Sequence, residues 1–429
     1  MKKKYRIILY TSIFLLCVVA SIILVVKKSN SVYEEESKPK VVKHKSMLSM
    51  NLEQTAGSGD YKTVTQSSWP TEGYKFNAEL SKCENGSTLS WDDTKKAVIV
   101  SGNLSDKCYV YFDIYQPTLA EYIKSQYTGT QGENNIYYHD SDLANGAGDN
   151  SYRYAGANPN NFVCFGTTES PCPIDNLYRI IGVFGENYHG ANGKQLVKLI
   201  KYDYMTTDEL GTDGDYSQTY KEWGMDSTYK GTYGDGERIG VYYWNYKATG
   251  SATNTWSTSL LNKTNLNTNF INNIGTTWAN KIATVTWKVG GNTWANIGTK
   301  TSSVAYTNEI TNPVTTNTTD NATTYSAKIG LMYVSDYGFA ASPDAWTLTM
   351  SSYNNTTATN NNWMYMGLYE WTISRYAGDS DVAFLVNIDG GVSYDYVDLS
   401  GGVRASFNLE SSVSYVSGSG SMSDPIVIN

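Results

Sequence analysis

Twenty consecutive residues without a charge, IILYTSIFLLCVVASIILVV from Ile7 to Val26, constrain this chain more than any other feature. At about 1.5 Å per residue they make a helix roughly 30 Å long, the thickness of a bilayer's hydrocarbon core. Lys2, Lys3, Lys4 and Arg6 precede the run and Lys27–Lys28 follow it. The heavier positive charge in front favours an inside N-terminus and an outside body. A cleaved signal peptide would have a shorter apolar core, about 7–15 residues, ending in small residues; here Val25–Val26–Lys27 follows instead. The reading is an uncleaved signal anchor over residues 1–28. It makes the membrane a partner through a single N-terminal span and leaves the C-terminal body extracellular.

Charge and cysteine usage agree with an outside body. Residues 1–45 hold ten Lys/Arg and three Asp/Glu, a net of +7, so the chain's −8 leaves everything after them at −15. An acidic body excludes nucleic acid, whose phosphates need clustered Lys and Arg. Outside the apolar run stand Cys83, Cys108, Cys164 and Cys172. Four cysteines allow three pairings, of which the local one, Cys83–Cys108 with Cys164–Cys172, is the simplest. Neither pair has the two-to-four-residue spacing of a zinc knuckle, which favours disulfides over a thiolate site.

Residues 29–70 are polar and mixed in charge, the texture of a solvated stalk. Residues 71–116 carry strand-like runs at Ala97–Val100 and Tyr109–Ile114, parted by Ser101–Gly102–Asn103, and read as a small disulfide-stapled β module. Residues 117–149 read as a linker, with a short helix over Leu119–Tyr127 and a Gly/Asn-rich loop. From residue 150 to 429 the chain reads as one large domain. YRIIGVF (Tyr178–Phe184) and LVKLIK (Leu196–Lys201) suit a hairpin, and Ser257 caps a helix running to Ile274. Ile329–Val334, Ala383–Val386 and Val403–Leu409 supply further strands. Short strands with a few helices make the class α+β.

The blocks YRIIGVF, WSTSLLN, KIGLMYVS, YEWTISRY, FLVNIDGGV and GVRASFNL occur in that order. With them, residues 150–429 resemble bacterial surface domains related to formylglycine-generating enzymes and the C-type-lectin-like fold. In such domains a Trp-bearing strand, here with Trp371, is followed by a variable stretch and a closing Gly-Val-Arg strand, here Gly402–Val403–Arg404. Some of them are variable proteins of diversity-generating retroelements, which would make residues 374–398 a diversified segment. The resemblance implies a lectin-like scaffold but not the family's chemistry. No Cys follows Cys172, so the oxidase's redox pair is missing; His139 and His189 are too few for a three-His iron site. The Glu-Pro-Asn and Gln-Pro-Asp calcium triplets do not occur. No catalytic residue, metal or cofactor is expected.

The informative stretch is EWTISRYAGDSDVAFLVNIDGGVSYDYVDLS, from Glu370 to Ser400. Its polar positions, Arg375, Tyr376, Asp379, Asp381, Asn387, Asp389, Tyr394, Asp395, Tyr396 and Asp398, are the candidate ligand-binding residues. Tyr with small polar neighbours is paratope chemistry: rigid amphipathic rings for area, adaptable hydrogen bonds around them. The expectation is a membrane-anchored extracellular binding or adhesion protein that is not an enzyme and takes an extracellular protein or glycan. An architectural envelope protein is the first alternative and a cryptic hydrolase the second. No carboxylate spacing points to the acid–base pair of a glycosidase.

Overall fold

The computed structural model describes residues 48–429 apart from 66–67, 71–72, 104, 186–192, 225, 314–321 and 355–358. The expected anchor lies outside the described residues. Among those described, no helix is long and apolar enough to cross a membrane. The longest helical stretch, Leu261–Phe270 running into Ile271–Ala279, is built on Asn, Thr and Lys263. The single span, the membrane as partner and the single-pass localisation are corrected accordingly.

The α+β, lectin-like class is corrected as well. The chain is mostly β, 34% strand against 21% helix. Its helices are short because Gly and Asn interrupt the apolar period that a longer helix needs. Two compact units divide at Gln116/Pro117.

In the first unit the strands are β1 (Leu48–Glu53), β2 (Tyr61–Val64), β3 (Tyr74–Cys83), β4 (Thr88–Asp92), β5 (Ala97–Ser101) and β6 (Cys108–Ile114). β2-β1-β6-β3 form one sheet and β4-β5 a hairpin. β1 runs parallel to β6, Leu48 opposite Cys108. Part of the expected stalk is therefore sheet, and Met50 and Leu52 are buried with Val110 and Phe112. Trp91 lies edge-on to Phe112 at 5.6 Å and stacks with Phe76 at 6.5 Å. Cys83 faces Cys108 across β3 and β6, and the two form a disulfide.

The second unit begins with α1 (Leu119–Ser125), capped reciprocally by Thr118 and Glu121. β7 (Ile136–His139) and β8 (Ser151–Tyr154) follow. Leu119, Ile123 and Ile136 are buried in the main core, so residues 117–149 belong to the domain and are not a linker. β9 (Phe162–Cys164), β10 (Leu177–Phe184) and β11 (Leu196–Lys201) complete the middle of the principal sheet. The second disulfide joins Cys164 to Cys172.

β12 (Tyr216–Thr219), β13 (Gly240–Tyr243), β14 (Val285–Lys288), β15 (Thr324–Ala327) and β16 (Ile329–Gly330) come next, with α2 (Ile271–Ala279) between β13 and β14. Then follow α3 (Val334–Ala340), β17 (Glu370–Arg375), β18 (Val382–Val386), β19 (Val392–Tyr396), β20 (Ser400–Gly401) and β21 (Ser406–Asn408). The principal sheet has the order β16-β21-β11-β10-β8-β7, with β9 also on β10; β12-β13-β20 and β17-β18-β19 are separate sheets.

Every residue of β10 and β11 is buried, the pattern of strands covered on both faces. The burial extends to charged side chains. Lys198 on β11 meets Asp336 of α3 at 2.6 Å. Arg404 grips Glu370 with two bonds, at 2.7 and 2.9 Å. Glu309, in a turn of π-helix from Thr307 to Thr311, accepts bonds from the backbone N–H groups of Val334 and Ser335 and from the Ser374 hydroxyl. Burial lifts the Glu309 carboxyl from the ordinary 4.5 to about 7.

Replacing Cys83 and Cys108 by Ser opens a loop of 25 residues' separation. It should destabilise the first unit by about 3 kcal/mol, read as faster hydrogen exchange across β3 and β6. Glu309 is neutral in the fold up to about pH 7 but ionises near 4.5 when unfolded. The native state therefore binds more protons between those values, and this contribution to stability, complete below 4.5, is lost as pH rises through 7. Glu309→Gln should remove that slope. Against the variant, wild type should lose roughly 3 kcal/mol from about pH 4.5 to about pH 8 in urea titrations.

Candidate binding face

β17, β18 and β19 form an antiparallel meander whose first two strands are buried at every position. Val382, Phe384 and Val386 lie opposite Tyr396, Tyr394 and Val392. Such a run, apolar on both faces, makes β18 a rigid central strand. β19 is the outer strand and emerges from the core after Val392, with Tyr394 and Tyr396 40% and 53% exposed.

An aromatic cluster stands on this support. The rings of Tyr376 and Tyr394 stack face to face, 4.7 Å apart and 7° from parallel. Trp294 meets Tyr394 edge-on at 5.3 Å. Phe384 presents its edge to both tyrosines, at 5.8 and 6.3 Å. These are favourable quadrupole arrangements, and they hold the Tyr394 ring in place while leaving part of it open. Trp294 is carried by the segment after Asn292, which is bonded in both directions to the end of β17: Asn292 N–H donates to the Arg375 carbonyl and Ala377 N–H to that of Asn292.

Acidic residues gather at the same end of the meander. Asp379 is exposed in the β17–β18 turn, Asp398 is exposed just past β19, and Asp381 is half-buried between them. Burial, then a hydrogen bond with Asp379 and the charges of Asp379 and Asp398, raise the Asp381 carboxyl above its usual range. The turn is pinned from outside by Asn254. Its side-chain nitrogen lies 2.7, 2.9 and 2.7 Å from the carbonyl oxygens of Tyr376, Asp379 and Val382, and its N–H donates to the Ser380 carbonyl. Tyr376, Asp379, Asp381, Tyr394, Tyr396 and Asp398 are thus brought together.

The other four expected residues are placed elsewhere. Arg375 is buried, only 1% exposed, with Nε donating to the Val289 carbonyl at 3.2 Å. A Cβ on Gly291 would come within 2.9 Å of its guanidinium, so this side chain is sealed from ligands. Asn387 and Asp389 form the β18–β19 turn at the opposite end, where the Asp389 carboxylate accepts the Gly391 N–H and Gly390 takes φ +89°. Asp395 points to the other face from the tyrosines and accepts the Tyr396 N–H.

Trp294 and Asn254 shape this face from outside the expected segment. Trp294 lies in the second copy of Thr-Trp-Ala-Asn, 293–296, whose repetition of 277–280 is visible in sequence. The two copies fold differently: the first ends α2 and the second is a single 3-10 turn. Nothing local marks Asn254. Among the described residues no group of three or more His, Cys, Asp and Glu is arranged to hold a metal ion. No protein-family model, curated protein or solved structure matches the chain.

Proposed function

We propose that this is an extracellular binding protein whose ligand, a protein or a glycan, is taken by the face built from Tyr376, Trp294, Tyr394 and Tyr396 and edged by Asp379, Asp381 and Asp398. The observation that carries the reading is the locked, half-open aromatic cluster around Tyr394. Rings fixed before contact lose little entropy on binding, and partly exposed aromatics held by neighbours are typical anchors of recognition surfaces. The carboxylates beside them supply acceptors for hydroxyl, amide or cationic groups. Two disulfides suit an oxidising, extracellular setting.

The test is a triple variant, Tyr394→Ala, Tyr396→Ala and Asp398→Asn, assayed for attachment to cells and to immobilised glycans. Tyr396 and Asp398 are exposed and Tyr394 gives up only its ring contacts, so the variant should stay folded with a melting temperature lowered by about a few degrees. Loss of the tyrosine anchors should weaken attachment by about 2 kcal/mol or more, roughly thirty-fold. Undiminished attachment by the folded variant would show that the face is decoration, leaving an architectural role in the cell envelope.

A further inference from the structure

Among the described ion pairs, Lys198 with Asp336 is the one in which a primary amine and a carboxylate are both wholly enclosed, each side chain at 0% exposure. The Lys198 Nζ stands 2.6 Å from Asp336 Oδ2, which also accepts the Tyr333 N–H at 2.9 Å. Aromatic rings wall the amine: its nitrogen is 4.5 Å from the centre of the Tyr333 ring and 5.1 Å from that of Trp287. A third ionisable group adjoins the pair. Glu309 accepts the N–H groups of Val334 and Ser335, the two residues before Asp336, and its charge is felt by Lys198 as that of Asp336 is by Glu309.

We propose that Lys198 and Asp336 condense into an intramolecular isopeptide bond, with Glu309 as the proton relay, covalently joining β11 to α3. The Nζ lone pair attacks Asp336 Cγ; the C–N bond forms, one carboxyl C–O bond breaks and its oxygen leaves as water. Starting from ammonium and carboxylate, the nitrogen gives up two hydrogens and the leaving oxygen takes both. Glu309 accepts a proton from nitrogen, passes one to the oxygen and ends unchanged. No oxidant, cofactor or second substrate is consumed. The product is a neutral amide in place of two buried ions.

The surroundings favour the forms required of Lys198 and Glu309. Burial outweighs the attraction of Asp336 and brings the Lys198 amine down to about 8, increasing the share that carries a free lone pair. Burial likewise keeps Glu309 protonated to about pH 7. The other buried pairs lack the chemistry. Arg404–Glu370 and Arg153–Asp149 present guanidinium groups, which do not deprotonate. The partner of Lys201, Glu209, reaches partly into solvent and caps the turn at Thr206. As a structural device alone, a buried lysine–aspartate pair is poorly rewarded, since its desolvation cost can match its attraction. A third buried carboxyl adds to that cost.

Mass spectrometry of the folded, purified full chain, reduced to open its disulfides, decides the matter. The expected result is a mass one water short of the sequence, with a branched tryptic peptide containing Lys198 joined to Asp336. Lys198→Met should have full mass and no branched peptide. Glu309→Gln should lose most of the cross-link while keeping a native circular dichroism spectrum. A wild-type chain of full mass, or a water loss mapped to another site, overturns the proposal without any variant having to fold. A cross-link undiminished in Glu309→Gln overturns the relay.

Discussion

The central constraint on the larger unit is that three cations are threaded through strands with no solvent-facing side. Arg179, Lys198 and Lys201 lie in β10 and β11, where every position is buried. An uncompensated charge in such a place costs several kcal/mol, so each must be met by groups from elsewhere in the chain. Arg179 lies between the rings of Phe162 and Trp363, with its nitrogens on Asn161 Oδ1 and the carbonyls of Pro159 and Trp363. Lys198 draws in α3 through Asp336. Lys201 reaches the Asp175 carbonyl and the carboxylate of Glu209. The elements that wrap the sheet are also the ones that neutralise it, which couples packing and electrostatics at the same contacts.

Where an element and its partner are close in sequence, the fold is legible. The β10–β11 hairpin follows from two β-branched runs around one loop, and its register runs from Tyr178 opposite Lys201 to Phe184 opposite Leu196. The Cys83–Cys108 and Cys164–Cys172 pairs are the local solution of the cysteine arithmetic. Legibility fails where partners are distant. β1 looks like stalk because its neighbour β6 lies some sixty residues on and its short Leu-Met-Leu alternation, itself a strand signal, sits within a polar stretch. The Gly/Asn-rich stretch after α1 looks like linker because the burial of Ile136 depends on β8 and the core behind it. The excess of strand over helix has the same origin: Asn and Gly give no periodic pattern, and tertiary contacts decide what they become.

The candidate segment shows what composition can and cannot say. Polarity picked out ten residues, yet the meander sorts them by backbone position. Arg375 is a strand residue on a buried sheet, enclosed beneath Gly291 with its Nε on the Val289 carbonyl, and so cannot face a ligand. Asp395 shares β19 with both tyrosines but falls on the other face, because side chains alternate along a strand. Asn387 and Asp389 belong to the turn at the other end of β18, roughly 10 Å along the strand from Phe384 in the aromatic cluster. The residues that do assemble are those on one face of β19 and at the adjoining turn, and Trp294 joins them through pairing with β17 that no local pattern announces.

The same sorting limits how such a face can change. Residues of β17 and β18 are buried on both sides, so substitutions there open cavities or strand polar groups in the core, at a cost of a few kcal/mol each. The Asp379 turn is tied to Asn254 by contacts to backbone carbonyls, which do not depend on the side chains at 379 or 380. Tyr394, Tyr396 and Asp398 are open to solvent. Variation within residues 374–398 is therefore compatible with the fold only at the two turns and on the outer face of β19. The backbone that presents those positions is held by bonds their side chains do not make. A surface arranged in this way can alter what it contacts while the geometry of presentation stays constant, because recognition and folding draw on different atoms of the same strands.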